Sequence, residues 1–197
     1  MEEREVIIDI YNRESVNWEE EFNENKKFEL DIGSGKGEFI AQMALKYSDV
    51  NYIGIEKSKG KCKKIFKKIK NYNLKNVKIL FARVEYVVPQ FFKEGMFEKI
   101  YINFPDPWVR YKRRKNRIIH QPGIMEDIVY ILKDSGSIYF VTDVKNYMEE
   151  TMKVFKNMGL KLVEYLKDSI PEYYPKTEFY YKTRSWNQPL FFARFVK

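Results

Sequence analysis

The sequence contains few of the residues that enzymes most often use as nucleophiles or metal ligands. Its 197 residues include one cysteine, Cys62, and one histidine, His120. A single cysteine excludes an intramolecular disulfide, and this pair cannot supply a Cys/His zinc cluster. A Cys-His dyad would require these two distant residues to meet in the fold. We therefore expect no metal ion, and any chemistry should rest on carboxylates, backbone amides, aromatic rings or an organic cofactor.

Long hydrophobic runs are also missing. No stretch approaches the ~20 apolar residues of a membrane-spanning helix. The N-terminal segment MEEREVIIDIYNRE is charged and lacks the apolar run of a signal peptide. These features predict a cytoplasmic protein with no membrane partner.

Negative charge is the scarcer of the two signs. The chain has 36 Lys and Arg against 28 Asp and Glu, which gives a formal net charge of +8 at pH 7. This excess favours a polyanionic partner such as nucleic acid, although a Lys-rich soluble protein can show the same balance. The length predicts a single domain over residues 1–197, with a short N-terminal appendage at about 1–27. The sequence is compatible with either a monomer or a homodimer.

Short apolar runs alternate with helical patterns along the chain. Strands are predicted at residues 28–33, 51–56, 77–82, 98–104 and 137–143, and helical periodicity follows four of them. This alternation is typical of repeated βαβ units that build a parallel sheet with helices on both faces. The last two runs, LKLVEYL and PLFFARFV, are separated by a Tyr- and Pro-rich stretch that we predict to be a loop without a helix. They should therefore pair as an antiparallel end of the sheet.

A glycine-rich segment, DIGSGKG at residues 31–37, follows the first of these strands and opens a helix. Gly33, Gly35 and Gly37 allow a tight turn and the close approach of a ligand, and the helix N-terminus presents free amides. Glu56 ends the next strand, 19 residues after Gly37. That is near the ~20-residue spacing at which an acid reaches the ribose hydroxyls of a bound nucleoside.

Two kinds of cofactor fit this arrangement, dinucleotides and S-adenosyl-L-methionine (AdoMet). The loop G-S-G-K-G is shorter than the G-x-G-x-x-G fingerprint that seats a pyrophosphate. Asp31 precedes it, and a carboxylate suits the positively charged aminoacyl end of AdoMet better than a pyrophosphate. The loop therefore favours AdoMet, with S-adenosyl-L-homocysteine as the product. A helix-capping or loop-bracing role for Asp31 is the alternative.

Further motifs follow in order: the strand end NFPDPW, a basic run, the pair TD at 142–143 and the tail PKTEFYYKTRSWNQPLFF. With the glycine loop, they make the chain resemble the bacterial tRNA (guanine-N7-)-methyltransferases from about Phe28 to the C-terminus. The resemblance implies a Rossmann-like class I methyltransferase fold, an α/β architecture with a seven-stranded, mostly parallel sheet, an antiparallel C-terminal strand and helices on both faces. It implies AdoMet as donor and N7 of the variable-loop guanosine, position 46, of tRNA as acceptor, with no DNA partner.

The resemblance also assigns roles to single positions. Asp31 and Glu56 match the family's cofactor carboxylates, and Asp106 in DPW matches its active-site acid, close to cofactor and base. The matches to its substrate contacts are Arg110, Asp143 and Thr177, the last of which begins the counterpart of T-x-[FY]-E.

Three positions depart from the family pattern. Arg83 stands where an Asp or Asn is usual on the adenine side of the cofactor, and it is still predicted to contact the cofactor. Arg113 replaces a common histidine, and Tyr180 takes the place of the glutamate in T-x-[FY]-E; both are still predicted to contact the substrate. Arg83 and Tyr180 motivate one alternative, a non-catalytic tRNA-binding relative. A second alternative is a methyltransferase that acts on an amino group of nucleic acid, such as N6 of adenine. Such enzymes carry a [DN]-P-P-[YF] turn after the same strand, and the turn here is Asp106-Pro107-Trp108, with one proline after the acid.

Methyl transfer to guanine N7 needs no general base, because N7 carries a free lone pair at neutral pH. The task is then mainly placement of the reacting atoms. Asp106, with its backbone restricted by Pro105 and Pro107, is predicted to hold the base or the methionine amine. The basic run is predicted to contact phosphates, with a charged solvated loop as the alternative; the residues are Arg110, Lys112, Arg113, Arg114, Lys115 and Arg117.

Overall fold

The computed structural model describes residues 1–22 and 26–197. Residues 23–25 fall in the predicted N-terminal appendage and lie outside the described residues, so the boundary near residue 27 stays a prediction. The strands are β1 Ile7–Asp9, β2 Lys27–Ile32, β3 Val50–Glu56, β4 Val77–Phe81, β5 Phe97–Asn103, β6 Leu132–Thr142, β7 Lys161–Lys167 and β8 Phe191–Val196. The α-helices are α1 Glu3–Val6, α2 Trp18–Phe22, α3 Glu38–Lys46, α4 Lys59–Asn71, α5 Val84–Phe91, α6 Ile124–Ile131, α7 Lys145–Asn157 and α8 Glu178–Ser185.

The described strands form one sheet in the order β1-β4-β3-β2-β5-β6-β8-β7. Strands β1 to β6 pair in parallel, and β8 lies antiparallel between β6 and β7. The predicted fold class and the antiparallel C-terminal pair are confirmed. The sheet has eight strands, however, where seven were expected. The additional strand is β1, whose three residues are too few to show a period-two pattern in the sequence.

The stretch between β7 and β8 contains a helix, so our prediction of a helix-free loop there is wrong. Helix α8 begins after Thr177, whose side chain accepts a hydrogen bond from the Tyr180 amide. The helix has only one buried residue, Thr183, and therefore lacks the apolar stripe from which a helix is recognised. The capping threonine was the feature of the sequence from which this helix could have been predicted.

Two hydrophobic clusters cover the two faces of the sheet. Along β3, Ile53 and Ile55 belong to one cluster, and Tyr52, which points to the opposite face, belongs to the other. All seven residues of β3 are buried, as expected of a central strand in a parallel sheet. Among the described residues, no helix combines the length and the apolar content needed to cross a membrane.

Candidate active site

A cleft of about 690 Å³ opens at the carboxyl ends of the central strands. Strand β2 lies between β3 and β5, so the order of the strands reverses there, and ligands of open α/β sheets bind at such a switch point. The volume is within the ~300–1,000 Å³ of small-molecule sites. Four of the predicted site residues line this cleft together: Gly33, Glu56, Arg83 and Asp106.

The glycine loop adopts backbone angles that other residues rarely tolerate. Gly33, Gly35 and Gly37 have φ values of 78°, 58° and 75°, in the left-handed region. Gly37 is also the N-cap of α3, and a Cβ atom there would lie 2.8 Å from Cγ2 of Ile65. Glycine at position 37 is therefore required both by the backbone angle and by the packing of α4 against the loop.

Glu56 joins the glycine loop to the end of β3. Its side chain is buried, and each carboxylate oxygen already accepts one backbone hydrogen bond: Oε2 from the Gly35 amide at 2.9 Å and Oε1 from the Ser58 amide at 2.8 Å. The Lys61 ammonium lies 4.0 Å away. Since a carboxylate oxygen can accept more than one hydrogen bond, Glu56 can brace the loop and still bind a ligand in the cleft that it lines.

Asp31 lies beneath the glycine loop and is only 2% exposed, so it does not line the cleft directly. Burial, with a smaller contribution from the Glu56 charge, raises the pKa of Asp31 to about 7. Its Oδ2 has no hydrogen-bond partner in the described part of the chain, and neither has Nδ2 of Asn103, which lines the cleft. Buried polar atoms normally have partners. The side chains of Ser34 and Asn103 are close enough to Asp31 to oppose this rise in its pKa. The unpaired acceptor and the unpaired donor therefore lie near each other at the ends of adjacent strands, where a polar ligand can complete their hydrogen bonds.

The segment NFPDPW forms a tight turn after β5. Phe104 and Trp108 have φ values of 46° and 39°, although neither is glycine and Phe104 precedes a proline. Such conformations cost about 1–3 kcal/mol each and persist only where the surroundings impose them. The Phe104 amide donates to the carbonyl of Val141 at 2.8 Å, which holds one end of the turn to β6.

Asp106, within this turn, faces the cleft with 64% of its side chain exposed. Its Oδ2 is 3.1 Å from Nζ of Lys57, which follows β3 on the other side of the cleft. Because both partners are well exposed, this ion pair is weak and readily exchanged for contacts with a ligand. Asp106 is therefore accessible to a substrate. Lys57 was not identified in the sequence, where it is one lysine among many.

The basic run continues from the turn as a 3-10 helix, Tyr111–Asn116. Four of its cations are exposed and form no ion pair with any described residue: Arg110, Lys112, Arg113 and Lys115. Arg114 is partly buried, and its guanidinium lies 3.6 Å from the Glu150 carboxylate. The exposed cations are available to an anionic ligand.

Arg117 requires a correction. We predicted a phosphate contact, but its side chain is fully buried and is satisfied by protein groups. It donates to the carbonyl of Pro107 at 2.9 Å, to Glu150 at 2.6 Å and to Asn146 at 3.0 Å. A phosphate cannot reach it in this structure. The sequence signal for its burial is the apolar pair Ile118 and Ile119 directly after it, which marks the point where the run enters the core.

The remaining predicted residues lie around the cleft or away from it. Arg83 is exposed at the cleft and pairs at 2.9 Å with Glu85, an acid in the cleft lining that the sequence analysis missed. Asp143 follows β6 outside the lining, and burial raises its pKa. Thr177 and Tyr180 belong to the start of α8 and do not line the cleft either.

Helix α8 nevertheless contacts the glycine loop and the acidic turn. Glu178 pairs with Lys36 of the loop at 2.9 Å, and Phe179 packs on Phe104 with ring centroids 4.5 Å apart. Hydrogen bonds from Lys182 and Lys36 lower the pKa of Glu178 to about 2. The geometry of this corner thus depends on helix α8 as well as on the central strands. No group of three or more His, Cys, Asp or Glu among the described residues could hold a metal ion.

Comparison with known proteins places this chain in a known class of enzyme. A family model described as "Putative methyltransferase" matches residues 25–193. The crystal structure of the 30S ribosomal A1408 methyltransferase from an uncultured bacterium has a TM-score of 0.63 to this chain at 23% identity, and the match covers 89% of this chain and 90% of that chain. The fold is therefore that of the class I, Rossmann-like methyltransferases.

Two relatives narrow the class to one family. The tRNA (guanine-N(7)-)-methyltransferase of Chlamydia caviae is 31% identical over 183 residues, which cover 91% of this chain and 80% of the relative. The protein of the same name from Chlamydia abortus is 33% identical over 185 residues, with 93% and 82% coverage. The chain belongs to the tRNA (guanine-N(7)-)-methyltransferase family, which confirms the resemblance found in the sequence.

Proposed function

We propose that the protein transfers the methyl group of AdoMet to N7 of a guanosine in tRNA, the variable-loop guanosine at position 46. The observation that carries the proposal is that the glycine loop and Glu56 meet the turn that holds Asp106 in one cleft. The family membership of the chain supports the same reaction. No general base is needed, since guanine N7 is not protonated at neutral pH, and this agrees with a cleft lining that contains no His or Cys.

The unpaired polar atoms under the loop fit the aminoacyl end of AdoMet. Asp31 would accept hydrogen bonds from its ammonium group, and Nδ2 of Asn103 would donate to its carboxylate. Glu56 has free lone pairs on both oxygens for the two ribose hydroxyls. Bound AdoMet supplies an electrophilic methyl group on a sulfonium centre.

The acidic turn would position the guanine. Asp106 can accept hydrogen bonds from N1 and N2 of the base after Lys57 has released it, and its charge offsets the positive charge that methylation creates on the ring. Because attack by N7 depends on distance and alignment, holding the base in one orientation is the main contribution of the protein. The variable-loop base is partly buried in folded tRNA, so the reaction also requires local opening of the RNA.

The exposed cations after the turn would bind the tRNA backbone. Arg110, Lys112, Arg113 and Lys115 lie next to the acidic turn in the chain and have no protein partner among the described residues. Phosphate contacts of this kind add affinity and orientation without reading the sequence of the bases. The protein should therefore bind tRNA less tightly as salt rises.

The test is transfer of a radiolabelled methyl group from AdoMet to tRNA transcripts. We expect labelling of a transcript with guanosine at position 46 and none of the matched transcript with adenosine there; equal labelling would exclude the proposed site. Nucleoside analysis should find 7-methylguanosine, whereas N6-methyladenosine would indicate the amino-group methyltransferase. A protein that binds tRNA but shows no calorimetric binding of AdoMet at millimolar concentration would be the non-catalytic relative.

A further inference from the structure

The turn that carries Asp106 is held from below by one buried side chain. Arg117 donates Nε–H to the carbonyl of Pro107, and its terminal nitrogens donate to Glu150 and Asn146 of α7. The guanidinium also lies 4.3 Å from the centre of the Tyr147 ring. We call these five residues, Pro107, Arg117, Asn146, Tyr147 and Glu150, the Arg117 cluster.

The geometry of Arg117 explains how the strained turn keeps its shape. Pro107 lies directly between Asp106 and Trp108, and Trp108 has the unfavourable φ of 39°. A left-handed non-glycine residue persists only where its neighbours impose the conformation. The bond from Arg117 to the Pro107 carbonyl fixes the peptide group that enters Trp108. The other end of the turn is fixed by the bond from Phe104 to β6.

A guanidinium suits this position for a chemical reason. It is planar and presents N–H groups in several fixed directions, so that one side chain can bind a carbonyl, an amide oxygen and a carboxylate at the same time. A lysine ammonium keeps the charge beside Glu150 but cannot reproduce this planar set of contacts. Arg117 is also inaccessible to phosphate, which separates it from the exposed cations of the same run.

We propose that Arg117 is a positioning residue for methyl transfer: it ties the Asp106 turn to α7 and thereby sets the place of the acid in the cleft. It acts through Pro107 and Asp106 and touches neither the substrate nor the cofactor. This inference rests on the proposed function, since the effect on rate requires the reaction. The effect on the turn itself does not.

The experiment compares Arg117→Lys with the wild-type protein in three measurements: the rate of methyl transfer, ligand binding and amide exchange. Under single-turnover conditions with saturating tRNA and AdoMet, the variant should react about 10- to 100-fold more slowly, because small misplacements of a reacting group have effects of this size. The dissociation constants for AdoMet and tRNA, and the salt dependence of tRNA binding, should stay unchanged. Hydrogen exchange of the backbone amides in residues 104–109, measured without ligands, should become faster.

Two further variants complete the experiment, one as a control and one as a second test. Arg194→Lys is the matched substitution, since Arg194 pairs with Glu164 at 3.4 Å between β8 and the edge strand β7, and it should change none of these measurements. Glu150→Gln keeps an acceptor for Arg117 without the charge, and it should slow the reaction less than Arg117→Lys does. It tests the same inference if Arg117→Lys does not fold.

Three results would overturn the inference. One is an unchanged rate in folded Arg117→Lys and Glu150→Gln. Another is weaker tRNA binding with a shallower salt dependence and an unchanged saturated rate, which would mean that Arg117 binds phosphate after all. The third is unchanged amide exchange at residues 104–109, which would exclude the structural link even if the wild-type protein did not methylate tRNA. If the wild-type protein did not label tRNA, that result by itself would contradict the proposed function and would leave the test of amide exchange in place.

Discussion

Replacement of Asp31 by asparagine should make the protein more stable at alkaline pH while weakening its binding of AdoMet. Burial raises the pKa of this carboxyl from its ordinary 3.8 to about 7. The folded protein therefore binds the Asp31 proton more tightly than the unfolded chain does. The contribution of Asp31 to stability is greatest below pH 3.8, where the carboxyl is protonated in both states. This contribution is lost as the pH rises through 7, because the folded state must then hold a buried charge.

The size of the effect follows from the shift. A difference of about three pKa units corresponds to about 4 kcal/mol in the free energy of unfolding above pH 7, at about 1.36 kcal/mol for each unit. Asparagine has a similar shape and no charge, so it avoids this cost. We expect Asp31→Asn to be more stable by about 4 kcal/mol at pH 8 and by about 2 kcal/mol at pH 5, where the folded wild type still holds the proton. At about 2–4 °C per kcal/mol, the melting temperature at pH 8 should rise by roughly 8–16 °C.

Urea denaturation of both proteins at pH 5 and pH 8 measures this prediction. Asp134→Asn is the matched control, since that side chain is 95% exposed, and it should give no such pH-dependent gain. An equal stability of Asp31→Asn and wild type at pH 8, or a gain that is the same at both pH values, would refute the reasoning. Calorimetry should show weaker AdoMet binding by the variant, because its ammonium group loses the buried carboxylate. Wild-type binding should release a proton near pH 7.

Three other substitutions test the cleft. Glu56→Ala should weaken AdoMet binding about 10- to 100-fold in calorimetry, since it removes the acceptor of the ribose and of the Gly35 amide; unchanged affinity would contradict that role. Asp106→Ala should lower the single-turnover rate about 100-fold with little change in AdoMet affinity, and an unchanged rate would show that its role is wrong. Gly37→Ala should lower the free energy of unfolding by about 1–3 kcal/mol more than Gly123→Ala, because both have positive φ but only Gly37 meets Ile65.

The alternation of apolar runs and helical patterns was enough to predict the class of fold. Parallel strands buried on both faces read as continuous apolar runs, and the sheet formed as expected from Lys27–Ile32 to Leu132–Thr142. Several short elements were missed. Strand Ile7–Asp9 has three residues, and helix Glu178–Ser185 buries one side chain, so each depends on its place in the fold for stability.

The placement of residues around the cleft was predictable where it depends on spacing along the chain. The carboxyl ends of parallel strands meet at one edge, and the glycine loop, Glu56 and Asp106 therefore come together as expected. Residues that join the cleft from other elements could not be found this way. Lys57 reaches Asp106 across the cleft, and Glu85 lies in helix α5, which was not predicted from the sequence.

The sequence by itself determined the parallel sheet, the glycine loop and the family, because these depend on periodicity and on motifs that are local in the chain. Tertiary structure decided which charges are buried and which are free. Arg113 and Arg117 belong to the same basic run, yet one is exposed and the other is enclosed by α7 and the Pro107 carbonyl. Burial depends on elements far apart in the sequence, and it separates the arginine proposed to position the turn from the exposed arginines proposed to bind tRNA.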